Sequence, residues 1–213
     1  MKKKELSEMT LEELWELFPI ILTEHKSYWS DWYQEEIALL RKILPKTTEY
    51  YHIGSTAIKG IWAKPIIDIL AVVESDKQLK GVADTLEQNG YIVMSSNDKR
   101  ISLNKGYTEN GFAEKVFHLH IRLKDDIDEL YFRDYLNAHP AIAKEYEKIK
   151  LQLWKKYEHN RDAYTNAKSK FVNKYTQLAN HRCPQKAIVY LDKKSKYRYD
   201  NPNVKESEIG KDF

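Results

Sequence analysis

The spacing of hydrophobic positions along the 213-residue chain changes twice, from helical to alternating near Pro45 and back to helical near Asp128. Thr10 followed by Glu13 is the pattern of a capping box, and it predicts a helix from Leu11 to Leu17 that Pro19 ends. Tyr33, Ile37, Leu40 and Leu44 form one stripe of a second helix, Tyr28 to Leu44, stopped by Pro45. Glu49 to Ile53 then reads as a short strand and Gly54 to Lys64 as a loop with two glycines. Ile66 to Val73 is apolar on both faces except at Asp68, as in a central strand buried between layers. Ser75 with Gln78 predicts another capping box and a helix from Asp76 to Asn89, closed by Gly90. Strands follow over Tyr91 to Ser95, Lys99 to Lys105 and Val116 to Leu123, the last two separated by the turn-rich segment GYTENG. Helical spacing returns from Asp128 to Leu136, from Pro140 to about Tyr157, and from Arg161 to Ala179.

Helices, a mixed sheet of about five strands with a helix against it, and a helical C-terminal cap make an α+β (α/β-like) fold. The expected divisions are an N-terminal helical extension over 1–22, one domain over 23–182, and a polar tail over 183–213. Within the domain the sheet core runs to about residue 127 and the cap covers 128–182. At 42% hydrophobic and 31% charged, the chain has enough apolar material for a core. Lysine and arginine exceed the acids by only 35 to 32, too little excess for a duplex nucleic-acid binder. The lone Cys183 excludes an internal disulfide and a multi-cysteine zinc site and suits the reducing cytoplasm, where we expect the protein. No signal-peptide core follows the basic start, and the longest near-apolar run, Ile66 to Val73, falls far short of the roughly 20 residues that span a bilayer.

The richest chemistry lies in HIGSTAIKGIWAKPIIDIL, His52 to Leu70. Gly54 permits close approach of backbone to a ligand, Ser55 and Thr56 offer hydroxyls and amides, and Lys64 adds a positive charge, so together they can hold a phosphate. The plain alternative is turn glycines and a solvated lysine. Asp68 costs several kcal/mol between layers unless something faces it, either a basic side chain such as Lys64 or Arg100 or a cation or ligand. Leu70 shares its face where a second metal-binding carboxylate would be wanted. In VFHLHIRL, His118, His120 and Arg122 point opposite to Phe117, Leu119 and Ile121, which places two imidazoles on one face about 7 Å apart. Such a pair can ligate a divalent metal or contact phosphate, although polar sheet faces often carry histidines without either role. Beside neighbouring strands, Asp68, Arg100, His118 and His120 would line one polar concavity. In the cap, Lys168 shares a face with Tyr164 and Phe171 and either reaches a phosphate or covers apolar surface with its stem.

HIGSTAIKGIWAKPIIDI, FHLHI, FRDYLNAHP and YTNAKSKF, in that order between roughly Thr23 and Lys174, resemble the successive signatures of the GrpB family. One departure is Ile58-Lys59-Gly60 where the family usually has Val-Pro-Gly, so the proline that would stiffen the loop is absent. The resemblance implies a nucleotidyltransferase-like mixed sheet flanked by helices, in which a Gly-Ser turn contacts nucleotide phosphates and strand acids hold magnesium. On that pattern Gly54 and Ser55 match the turn and Asp68 the first carboxylate, the second falls on Leu70, and a third has no acidic match, with His120 on the relevant strand.

Three functional expectations follow. In the first, Asp68 and His120 are catalytic in a nucleotidyltransferase, Asp68, His118 and His120 hold a divalent metal (Mg or Mn), and Gly54, Ser55, Thr56, Lys64, Arg100 and Lys168 bind the phosphates of a nucleoside triphosphate or phosphorylated metabolite. One carboxylate with two histidines suits a transition metal at least as well as magnesium. In the second, the protein is a nucleotide- or phosphometabolite-binding module that lacks the two-metal catalyst, which Leu70 favours. A third possibility gives the basic stretch Lys193 to Arg198 an acidic partner, against the commoner fate of a charged tail, which is solvation.

Overall fold

The computed structural model describes residues 4–79 and 81–182. The tail expected over 183–213, with its basic stretch, and Cys183 lie outside the described residues. Helices α1 (Leu11–Leu17) and α2 (Trp29–Ile43) precede strands β1 (Glu49–Ile53) and β2 (Ile66–Val73). Helix α3 (Val82–Glu87), strands β3 (Tyr91–Ser96), β4 (Arg100–Thr108) and β5 (Gly111–Leu123), and helices α4 (Asp128–Ala138), α5 (Pro140–Tyr157) and α6 (Arg161–Arg182) complete the order. The sheet order is β1-β2-β5-β4-β3. Only β2 and β5 are parallel, and the other three pairings are antiparallel. This is the expected mixed five-stranded α+β fold, and no described helix is long and apolar enough to cross a membrane.

The two sheet faces differ as the alternation predicts. Ile67, Ile69 and Ala71 of β2 and Phe117, Leu119 and Ile121 of β5 pack with Ile37 and Leu40 of α2, with Leu44 just beyond it, and with Leu86 of α3. On the opposite face α4 covers one end, where Leu70 and Val72 meet Ile127 and Leu130. The rest of that face carries the histidines. Every residue of β2 is buried except Asp68, which keeps partial access.

The capping box at Thr10 forms in full, with Glu13 N–H donating to the threonine hydroxyl at 3.2 Å and Thr10 N–H to the Glu13 carboxylate at 2.7 Å. The one expected at Ser75 does not: Gln78 turns its carbonyl to Glu74 N–H instead, and only a 3₁₀ turn, Asp76–Gln78, forms. The helix expected over Asp76 to Asn89 is therefore shortened to Val82–Glu87, because Gly81 adopts a left-handed φ of 78° that no helix interior accepts. GYTENG is the other correction. β4 and β5 run on through it and close a hairpin between Thr108 and Gly111.

The loop without its proline is held from outside. Ile58 and Ile61 plug into the cluster of Phe132, Leu136 and Tyr146 beneath the cap. Its backbone is tied by Asn137, which accepts from Lys59 N–H at 3.2 Å and donates to Ala57 O at 3.0 Å, by Lys144 donating to Gly60 O at 2.7 Å, and by Trp62 N–H donating to Glu147 at 2.7 Å. Upstream of the loop, Ile20 and Leu22 are buried against Tyr164, and Ile20 N–H donates to Glu158 O at 2.8 Å.

Candidate functional site

Parallel pairing sets Asp68 of β2 opposite His118 of β5, and β4 sets Ser102 opposite His120. The three candidate ligands therefore meet: one donor atom from each of Asp68, His118 and His120 lies within 4.8 Å of the others. His118 Nδ1 is 3.0 Å from Asp68 Oδ1, and His120 Nε2 is 3.7 Å from the same oxygen. The lone acid is answered by the two imidazoles, and neither Lys64 nor Arg100 forms an ion pair with it. Burial acts to raise the Asp68 carboxyl, but the hydrogen bond from His118 and the nearby His120 imidazole outweigh it and hold the group well below the usual carboxylate range.

The far nitrogens decide what these imidazoles can do. Arg122 Nη2 lies 3.3 Å from His120 Nδ1, and Arg161 Nη2 lies 3.3 Å from His118 Nε2. A guanidinium only donates, so both far nitrogens accept and the ring protons sit on the near nitrogens, aimed at Asp68. Burial lowers the affinity of His118 for a second proton despite Asp68. A metal-binding histidine shows the opposite arrangement, with its lone pair toward the ion and its far N–H donating to an acceptor. The donor atoms are close enough for a divalent ion, but the proton arrangement around them does not fit one. Leu70, fully buried in the apolar cluster with Ile53 and Leu130, removes the place for a second.

Gly54 has φ 68°, and a Cβ there would lie 2.1 Å from Asp68 Oδ2, so the glycine is needed to seat the carboxylate. The Thr56 hydroxyl is spent inside the fold, donating to Ile66 O at 3.1 Å and meeting His52 Nε2 at 2.9 Å. Ser55 faces the phenol of Tyr146, whose proton affinity burial pushes up to about 12. Arg100 does not join the site. Standing opposite Arg122 at the far end of β4, its guanidinium grips Asp126 at 2.5 and 2.6 Å.

Lys64 and Lys168 do join it, and both lie by Tyr164, with their ammonium nitrogens 5.7 and 4.3 Å from the ring centroid. Burial, with Arg161 and Lys168 nearby, lowers Lys64 to about 7, while Asp68 opposes the shift. Burial likewise lowers Lys168 to about 8, with Arg161 adding to the effect. Neither lysine, nor Arg161, enters an ion pair with a carboxylate of the described residues. Lys150 is nearly inaccessible, donates to Trp62 O, and is lowered to about 7 mainly by burial. The site is thus one acid wrapped by imidazole donors, facing an excess of positive charge.

Sequence patterning missed Arg161, Tyr107 and Lys150. Arg161 opens α6 after a turn and gives no local signal. Gly106, an isolated glycine at the end of a strand pattern, was available as a bulge signal beside Tyr107.

The model of the family described as GrpB protein matches residues 19–178. The glutamate-rich protein GrpB of Alkalihalophilus pseudofirmus is 37% identical over 161 residues, covering 72% of this chain and 92% of that protein. A UPF0157 protein of Halalkalibacterium halodurans is 31% identical over 83% of this chain and 91% of its own length. Among solved structures, conserved protein GrpB from Enterococcus faecalis superposes with a TM-score of 0.68 at 31% identity, covering 78% of this chain and all of that one. Terminal uridylyl transferase 4 from Trypanosoma brucei, with bound dUTP, reaches a TM-score of 0.47 at 13% identity over 74% of this chain and 56% of that one, a distance at which neither chemistry nor ligand transfers. Since the matched span contains the sheet, the loop and the cap helices that assemble the site, the chain belongs to the GrpB family.

Proposed function

We propose that this protein binds a phosphorylated ligand, a nucleotide or a phosphorylated metabolite, between the Gly54-Ser55 turn, the histidine face of β5 and the start of α6. One observation carries the reading: Lys64 and Lys168 stand 5.7 and 4.3 Å from the centroid of the same Tyr164 ring, near Arg161, and none of the three pairs with a carboxylate of the described residues. Bringing like charges together in a partly desolvated site costs free energy that a multiply charged anion reverses. A phosphoanhydride or phosphoester supplies that charge, and lysine and arginine are its usual partners. In this reading Asp68 does not meet the ligand's cation. It fixes both imidazoles.

Thermal unfolding in the presence of ATP, GTP, UTP, CTP and inorganic tripolyphosphate, each with EDTA and with manganese, tests the proposal. The expected result is stabilisation by a triphosphate in EDTA that Lys64→Met removes. No stabilisation by any of the five overturns it.

The approach of Asp68, His118 and His120 to within 4.8 Å favours a second reading, a nucleotidyltransferase holding a single Mg or Mn ion there. It requires both imidazoles to give up their near protons, and it predicts stabilisation that appears only with the metal and vanishes in Asp68→Ala.

A further inference from the structure

β4 does not run straight. Its register with β5 shifts between Lys105 and Tyr107, and the residue at the shift, Gly106, has φ 88°. A Cβ at Gly106 would lie 2.3 Å from Lys115 O, so only glycine fits. Without this bulge Tyr107 would fall on the core face with Ile101, Leu103 and Lys105, by strict alternation. The extra residue swings it onto the face of Ser102, Asn104, His118 and His120, the kind of re-aiming that bulges perform beside reactive sites.

There the Tyr107 hydroxyl lies 2.8 Å from His118 Nε2. Arg161 Nη2 lies 3.3 Å from the same nitrogen, and Arg161 Nη1 donates to the Tyr107 oxygen at 3.1 Å. The relay therefore has one direction: Tyr107 O–H donates to His118 Nε2, and His118 Nδ1–H donates to Asp68 Oδ1 at 3.0 Å. This is the order of a hydrolase triad, with acid, oriented base and hydroxyl nucleophile in sequence. Arg161 is the cation that steadies the oxygen as it loses its proton. The rings of Phe18 and Phe112, with centroids 4.8 and 5.2 Å from that of Tyr107, hold the phenol in place.

We propose that Tyr107 is the nucleophile of this site and becomes phosphorylated or nucleotidylated by a phosphoanhydride. This rests on the reading that a phosphorylated ligand occupies the neighbouring cation cluster. Tyr107 Oη attacks phosphorus and forms an O–P bond, while the bond from phosphorus to the bridging anhydride oxygen breaks. The bonding pair leaves with the released phosphate chain, and the phenolic proton passes to His118 Nε2. The imidazolium so formed is stabilised by Asp68 through the bond that already orients the ring. No oxidant, reductant or second substrate is needed to reach the tyrosyl adduct.

The test incubates the full chain with ATP and GTP labelled at either the α- or the γ-phosphorus, quenches in acid, and locates label by peptide mass spectrometry. We expect label on the peptide containing Tyr107, its position in the nucleotide telling phosphorylation from nucleotidylation. Tyr107→Phe, which keeps the ring packing, should lose it completely. His118→Gln should slow labelling at least a hundredfold, because the base is gone and the hydroxyl remains. If tripolyphosphate stabilises the protein and no label reaches Tyr107, or if Tyr107→Phe labels equally, the nucleophile is overturned and the binding proposal stands. If no triphosphate stabilises the protein, both fall.

Discussion

Two groups of basic side chains occupy this fold in opposite ways. On the packed side, Lys105 reaches the buried Glu36 at 2.8 Å, with Tyr91 O–H donating to the same oxygen at 2.7 Å, and at the sheet's end Arg100 grips Asp126. Each of these cations has its acid, and together they pin α2 to the sheet and close the turn after β5. On the histidine side, Lys64, Lys168 and Arg161 face, among the described residues, a single carboxylate that two imidazoles already surround. The contrast separates charge used for folding from charge kept for a ligand: a basic group matched by an acid has finished its work, and an unmatched partly buried cluster carries a standing cost.

The strongest way to break the contrast is to disturb the backbone that aims the site. Gly106→Ala meets the Lys115 carbonyl and a left-handed φ together, and should lower stability by about 2–4 kcal/mol in urea unfolding. Next in size is the unmatched cluster itself. Lys64→Met should make the ligand-free protein more stable by about 1 kcal/mol, by removing a desolvated charge, while weakening tripolyphosphate binding by roughly 10- to 100-fold in calorimetry.

pH sharpens the same point. Lys64 and Lys168 lie near 7 and 8 in the fold, against an ordinary 10.5, so between those values the unfolded chain binds more protons than the native one. Stability of the ligand-free protein should therefore rise with pH from about 7 and level off above about 10.5. A bound anion needs the protonated lysines, so the melting shift it produces should be largest below pH 7 and shrink between 7 and 8. Thermal melts across that range, with and without tripolyphosphate, check both slopes. The smallest effect belongs to Arg100→Ala. Its exposed pair with Asp126 is worth at most about 1 kcal/mol, and the variant should bind tripolyphosphate as wild type does.

Much of this was legible in the residues. Asp68 stands out because an acid in a run of isoleucine, leucine and valine needs something to face it, a basic side chain, a cation or a ligand, and the alternation in VFHLHIRL sets which way the histidines point. Parallel pairing of β2 with β5 then joined them, a step that depends on topology. The guanidiniums behind the imidazoles were not legible. Arg122 was visible as a neighbour on the strand, but Arg161 arrives from a helix 43 residues beyond His118. Arg100 was misplaced because sharing a face is not sharing a site: it lies two register steps beyond the Ser102–His120 pair, beside the acids that follow β5. The bulge at Gly106 has the same signal in the sequence as a turn, because glycine marks both, and only pairing distinguishes them.

A crystal soaked with a nucleoside triphosphate and manganese tests the central claim most directly. The claim requires phosphoryl density among Lys64, Lys168 and Arg161, with both imidazoles still turned to Asp68 and no anomalous manganese peak between them. A manganese ion ligated by Asp68, His118 and His120 would contradict it.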